Sequence, residues 1–420
     1  MRLKTLFSIG FAVFLAGLII FYVHHILSIT DGYASAVAFL TYVIALSIGC
    51  AVFLIIDAAI RFRNMPDYFR KETARNIILS AAFFMIVLLP VIGLILGTES
   101  SLPTHEKRQL ARKPSLINMD ISAFTKDFHS YFQDNYGFRK TWMTLNNYVK
   151  VKYFKVSPLS KVIMGKDGWL FFDESLHNAF GGTTAGGQIR EITNSIERQN
   201  AWFAGKGIYY VFVIVPDKET VYPEYLPDSV NITRQKTMLD QVMFGLGPDS
   251  NVHIIDLRAS FLKAKTSNRL YYKTDTHWNS YGAFIGYLEI MKQLSARFPD
   301  LKPPLRADVA VQNDAITYSG DLAHMLSLGN QLTEKGPGVV LTQNRSQAKL
   351  RKAVIFKDSY FDNLKPYLSP RFREMIPVSF TDKFDSETLE TDPPEIVITI
   401  CVQRNISLAK TTVNNWLSIK

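Results

Sequence analysis

Asp275-Thr276-His277-Trp278-Asn279 and, far downstream, Lys357-Asp358-Ser359-Tyr360 supply an acid, a base and a nucleophile in that chain order. A serine hydroxyl is a weak nucleophile until an imidazole takes its proton, and the imidazole works best when a carboxylate fixes its tautomer. Asp275 and His277 stand two residues apart, so on an extended segment both side chains leave from one face. Ser359 has to be brought to them by the fold. Alone, a loop serine or a core histidine means little; together, these residues suit acyl transfer or ester hydrolysis through an acyl-serine.

The elements around them predict how they are delivered. Asn279 or Ser280 is suited to cap a helix that begins near Tyr281, whose apolar residues Phe284, Tyr287, Leu288, Met291, Leu294 and Phe298 recur at helical spacing. Asp275 and His277 then occupy the extended entry to that helix. Ser359 follows a buried-type strand, Ala353 to Phe356, and precedes a second predicted helix. Further apolar strands are expected at Ile208 to Val215, Val252 to Leu257 and Glu395 to Val402, with a helix from Arg190 to Lys206. Continuous apolar strands separated by helices predict an α/β sandwich with a largely parallel sheet. Ligands of such sheets bind beyond the carboxyl ends of the strands, where Ser359 stands and where backbone N–H groups can stabilise an oxyanion. Ile121 to Val156 reads as one helix, and Val162 to Phe172 as two strands around a glycine turn.

The first hundred residues are of another kind. Three apolar stretches, Leu6 to Leu27, Ala34 to Ile60 and Ile77 to Leu96, are each long enough for a bilayer core of about 30 Å. Arg2 and Lys4 precede the first, and Arg61, Arg63, Arg70, Lys71 and Arg75 lie between the second and third. The loop Ser28 to Tyr33 holds no Lys or Arg. The positive-inside rule then puts the N-terminus in the cytoplasm and everything after Leu96 outside it. The expected organisation is a membrane domain of three transmembrane helices over 1–97, a linker over 98–120 and an extracytoplasmic domain over 121–420. Asp57 at the end of the second span reads either as a solvated interfacial group or as a buried functional carboxylate.

Composition excludes several classes. The net charge of +10 belongs partly to the basic segment between spans two and three, and no Lys/Arg run with interleaved aromatics suggests nucleic acid. Cys50 lies in a span and Cys401 stands alone in the soluble part, so no disulfide between them is expected. The loop Gly181 to Gly187 lacks the lysine signature of a phosphate cradle. Asp321 and His324 offer a pair of metal ligands without a further set at zinc spacing, so no metal and no cofactor is assigned.

Four segments carry a resemblance. They are Asp134 to Arg139 with Val162 to Phe172; Val215-Pro216-Asp217-Lys218 with Val221-Tyr222-Pro223; Thr274 to Asn279 followed by Gly282; and Asp358-Ser359 preceded by Gly320-Asp321-Leu322. In combination they resemble the SGNH-hydrolase-like domain of the alginate O-acetyltransferases of the AlgJ and AlgX family. The resemblance implies a three-layer sandwich in a permuted order, with Ser359 as nucleophile, His277 as general base and Asp275 as the acid that orients it. It implies acetyl transfer to hydroxyls of an exported or cell-surface polysaccharide, beside a membrane-bound O-acyltransferase that supplies acetyl groups at the bilayer. The location implied is a bacterial inner membrane with the catalytic domain in the periplasm. Tyr222, Trp278 and Asn279 either shape the acceptor site or serve as packing and caps. Arg139 and Arg404 either hold a sugar carboxylate or form structural ion pairs. A glycan acetylesterase using the same triad and a non-catalytic glycan-binding scaffold are the alternatives.

Overall fold

A computed structural model describes residues 67–97, 110–114 and 121–408, apart from 181–185, 233–235, 248–249, 305–308, 342–348, 383 and 385–386. The first two expected spans, Asp57, Cys50 and most of the glycine-rich loop lie outside these residues. The chain divides into two units between Met143 and Thr144, so the boundary expected at 121 falls inside the first.

In the first unit, the helix Asp67–Leu96 contains one stretch long and apolar enough to cross a membrane, Ala74–Leu94, the one such stretch among the described residues. Its 21 residues give about 31 Å at the helical rise, close to the thickness of a bilayer core. The single helix expected from Ile121 to Val156 is divided into Ile121–Asn135 and Arg139–Val149, followed by a π-turn, Lys150–Phe154. Gly137 and the left-handed Phe138 (φ 58°) cause the break. A side chain at Gly137 would overlap the backbone of Gly93, whose helix offers the Pro90 carbonyl to the Gly137 N–H at 2.7 Å. Phe124, Phe128, Phe132 and Tyr136 form a ladder at i, i+4 spacing, with ring centroids 5.8 to 6.4 Å apart.

The second unit is built on five parallel strands. The strands in chain order are β1 (Val162–Met164), β2 (Leu170–Phe172), β3 (Tyr209–Val215), β4 (His253–Asp256), β5 (Val309–Ser319), β6 (Thr333–Leu341), β7 (Leu350–Lys357), β8 (Phe372–Ser379) and β9 (Ile396–Val402). The central sheet runs β4-β3-β9-β7-β8, every pair parallel; β1-β2 and β5-β6 are antiparallel hairpins. Side chains alternate across it. Val211, Val213 and Val215 join Ile398, Ile400 and Ile355 under the helices Ser280–Arg297 and Phe361–Leu368. Tyr210, Phe212 and Ile214 join Val397, Cys401 and Phe356 against Gly186–Gly205 and Met238–Leu246. All seven residues of β9 are buried, and each large apolar side chain among them contributes about 1.5–3 kcal/mol by area. Both faces are covered, giving the expected three-layer α/β sandwich.

Two elements were not foreseen. β8 carries Pro377 and the charged pair Arg373-Glu374, which argue against a strand, but it lies at the sheet edge where a missing N–H is tolerated. The long hairpin β5-β6 contains Gly336-Pro337-Gly338 and a register shift after Gln312, which blur its alternation.

Candidate active site

The sheet delivers the candidate residues from the carboxyl ends of β3, β7 and β9. Val215 leads to Asp217 and Lys218, Lys357 to Asp358 and Ser359, and Val402 to Gln403 and Arg404. The strand order reverses direction here, where open α/β sheets form their ligand crevice.

Ser359 sits in an exposed turn before the helix Phe361–Leu368, and its position is locked by its neighbour. Asp358 accepts the Tyr360 N–H at 3.0 Å with one oxygen. With the other it accepts the Val402 N–H at 2.8 Å and the Asn405 amide at 3.0 Å. The turn that carries Ser359 is thereby tied to β9. No group among the described residues accepts from the Ser359 N–H.

His277 bridges the other two residues. Its Nδ1 lies 2.7 Å from Asp275 Oδ1, and its Nε2 lies 2.7 Å from Ser359 Oγ. With Nδ1 protonated toward the carboxylate, Nε2 is free to accept the serine proton. Asp275 is buried and accepts four hydrogen bonds: the His277 ring and backbone N–H on Oδ1, and the Tyr318 hydroxyl and Asp321 N–H, each at 2.8 Å, on Oδ2. Burial alone would raise its pKa, but the hydrogen bonds and charge of His277 outweigh it and hold the carboxyl well below the usual range. The same burial lowers the His277 pKa, yet the hydrogen bond and charge of Asp275 win, and it stands above its ordinary value.

Asp321, considered in the sequence beside His324 as a metal ligand, belongs to this network instead. Its Oδ2 lies 3.7 Å from His277 Nδ1 and accepts from Thr276 Oγ1 at 2.6 Å, while Oδ1 accepts the Thr276 N–H at 2.8 Å. Burial and the charge of Asp275 raise its pKa. Asp275, His277 and Asp321 have ligand-type atoms within 4.8 Å of one another, but both Asp275 oxygens and both imidazole nitrogens are already hydrogen-bonded. As arranged, the cluster is a continuous hydrogen-bonded network. Gly320 makes it possible: a Cβ there would overlap the Thr274 carbonyl, and that close approach lets the Asp321 N–H reach Asp275.

Beneath the loop lies a fully buried cation. Lys218 Nζ donates to the carbonyls of Asp275 at 2.6 Å, Lys273 at 3.2 Å, Tyr272 at 3.3 Å, and Leu170. Burial pulls its pKa down to about 8, despite the carboxylates nearby. From the other side Glu334 accepts the Thr274 N–H and hydroxyl on one oxygen and the Lys273 N–H on the other. Lys218 entered the sequence analysis only as part of a motif. Tyr318 and Glu334 were not identified at all, because they come from the unforeseen hairpin β5-β6.

The remaining candidates of the second unit lie behind this loop and hydrogen-bond or pack around it. Trp278 is fully buried and its indole N–H donates to the Tyr360 carbonyl at 2.9 Å. Asn279 caps Ser280–Arg297 by accepting the Tyr281 and Gly282 N–H groups, and its amide donates to the Arg269 carbonyl at 2.7 Å. Tyr222 is buried against Trp169, its hydroxyl accepts the Leu270 N–H at 2.9 Å, and burial raises its pKa to about 12. Arg404 pairs with buried Asp217 at 2.5 Å and donates to the Tyr360 hydroxyl at 3.4 Å. Burial raises the Asp217 pKa to about 7 even against that arginine. Arg139 lies in the first unit, its Nε on the Gln133 carbonyl. Tyr360, whose ring centroid is 4.7 Å from that of His277, donates its hydroxyl to the Thr276 carbonyl at 2.5 Å and so joins the Ser359 turn to the Asp275-His277 loop.

Comparison with known proteins places this region. Residues 162–367 match the family model described as SGNH hydrolase-like domain, acetyltransferase AlgX. A protein of Pseudomonas syringae pv. tomato, named probable alginate O-acetylase AlgJ, is 24% identical over 255 residues, 60% of each chain. The protein of that name from Pseudomonas aeruginosa is 27% identical over 195 residues, 44% of this chain and 46% of the relative. The chain thus aligns with 60% or less of the length of either relative. Among solved structures, the O-acetyltransferase domain of Pseudomonas putida AlgJ is similar at 20% identity and a TM-score of 0.42, covering 59% of this chain and 92% of that domain.

Proposed function

From the match of residues 162–367 to the SGNH hydrolase-like domain of acetyltransferase AlgX, we propose that the protein O-acetylates hydroxyls of an exported or cell-surface polysaccharide through an acetyl-Ser359 intermediate. The observation that carries the reading is the continuous pair of 2.7 Å contacts from Asp275 through His277 to Ser359. His277 Nε2 takes the Ser359 proton as Oγ attacks the carbonyl carbon of an acetyl donor. The free Ser359 N–H points to one donor for the resulting oxyanion. Collapse expels the donor's leaving group, which takes the proton from His277, and leaves acetyl-Ser359. A sugar hydroxyl then gives its proton to His277 and attacks the ester carbonyl, and the second collapse returns the proton to Ser359. Asp275 holds the productive tautomer and stabilises the imidazolium in both halves.

The apolar helix Ala74–Leu94 and the relatives' names support a membrane-anchored enzyme working outside the cytoplasm, where acetyl-CoA is absent. A membrane-bound acyltransferase is the proposed acetyl supplier. Exposed Ser359 also admits water, which favours a glycan esterase as the second reading. Ser359→Ala in the producing cell separates the readings by the acetyl content of the surface glycan. A transferase variant loses acetylation, an esterase variant gains it, and an unchanged content leaves only a scaffold.

A further inference from the structure

We propose that the π-turn Lys150–Phe154 and the segment after it form a docking surface for an anionic lipid bilayer. Exposed aromatic and aliphatic side chains enter the interfacial region there, and lysines meet the headgroups. Val151 anchors the turn in a small core with Val162, Leu170 and Leu326. Beyond that anchor the chain turns outward: Tyr153 is 71% exposed, Phe154 69%, Val156 56% and Leu159 40%. Two adjacent aromatics at such exposure are costly in water unless something covers them. The turn is held in this form by left-handed Lys155, whose N–H donates to the Lys150 carbonyl, so the side chains are presented by a fixed backbone.

Charge identifies the occupant. From Thr144 to Lys161 the chain has four lysines, Lys150, Lys152, Lys155 and Lys161, and no Asp or Glu. Among the described residues no ion pair engages their ammonium groups. Aromatic rings flanked by lysines are the composition of membrane interfaces, where the ring sits at headgroup level and the long stem carries its charge outward. The same polypeptide contains Ala74–Leu94, apolar enough to cross a bilayer, so chain connectivity alone gives the turn a lipid surface at raised effective concentration. The proposal does not depend on the acyl-transfer chemistry, and Ser359→Ala protein serves equally in its test.

The test uses the full chain reconstituted in vesicles of phosphatidylcholine with or without phosphatidylglycerol, each doped with a diazirine-bearing phospholipid. After photolysis the labelled peptides are mapped. Adducts are expected on 150–161 in the anionic vesicles. The triple variant Lys150→Glu, Lys152→Glu, Lys155→Glu lowers them by up to about fivefold per charge. Tyr153→Ser with Phe154→Ser lowers them as well, while labelling of 74–94 and the unfolding temperature stay unchanged. Phe244 is the control, being 79% exposed with Lys236 over its ring. The proposal is overturned if 150–161 is labelled no more than the Phe244 peptide, or equally in pure phosphatidylcholine. It is also overturned if 150–161 becomes shielded only when a second protein is added.

Discussion

The Tyr318 hydroxyl donates to Asp275 Oδ2 at 2.8 Å, on the carboxylate oxygen opposite the one that holds His277. A residue from the β5-β6 hairpin therefore completes the coordination of the acid in the Asp275-x-His277 loop. Tyr318→Phe removes one of four donors without altering the ring packed on Tyr272. The folded-state pKa of Asp275 rises toward its ordinary value as a result. A depressed carboxyl contributes stability above its unfolded pKa and loses it as pH falls, so the variant is expected to unfold at higher pH. It should also lose about 1–3 kcal/mol at neutral pH. Thermal unfolding of the detergent-solubilised protein across pH 3 to 7 reads this directly.

Acyl transfer requires neutral His277, whose pKa stands above the ordinary imidazole value. Turnover of an acetyl ester donor should rise with pH through a midpoint above about 6.5. A raised histidine pKa contributes stability in full below the unfolded value and loses it as pH passes the folded one, so stability and activity move in opposite directions here. Asp275→Asn should move the activity midpoint down and lower turnover by roughly a thousandfold or more. A midpoint that does not move would remove Asp275 from the relay.

Lys218 is a buried cation with its pKa at about 8. Between that value and the ordinary lysine pKa the unfolded chain binds more protons, so stability should rise with pH by up to about 3 kcal/mol. Lys218→Met should abolish that rise. It should also leave the carbonyls of Tyr272 and Asp275 without their donor, at about 1–3 kcal/mol each. Hydrogen exchange would show the loop 270–279 opening while β3, β7 and β9 keep their protection.

Arg404 distinguishes a support from a ligand. Arg404→Met leaves Asp217 buried and unpaired, which is expected to cost about 3–5 kcal/mol. Adding Asp217→Asn should recover much of that loss. A role in binding the acceptor predicts the reverse pattern: a raised KM at unchanged stability that the second substitution does not rescue.

Much of this arrangement was legible in the chain because it is local. The two-residue spacing of Asp275 and His277, the Asn279 cap and the apolar runs of β3, β7 and β9 are properties of short windows, and the parallel sheet follows from them. Tyr318, Glu334 and the Lys218 cradle depend on which loop lies over which, and no window contains that. Pro377 hides β8 for a related reason, since its tolerance depends on lying at an edge that the sequence does not mark. Trp278 and Tyr222 have the types of ligand-facing residues, but their partners Tyr360 and Leu270 lie far away in sequence.

β9 is the last described strand in the chain, yet it occupies the middle of the sheet, between β3 and β7. Until Ile396–Val402 arrives, β3 and β7 face each other across an empty lane. Asp358 likewise lacks the Val402 N–H that sets the nucleophile turn. Before that strand is placed, the turn that carries Ser359 has no tie to β9. Under the proposed function, competence therefore waits for the insertion of this one strand.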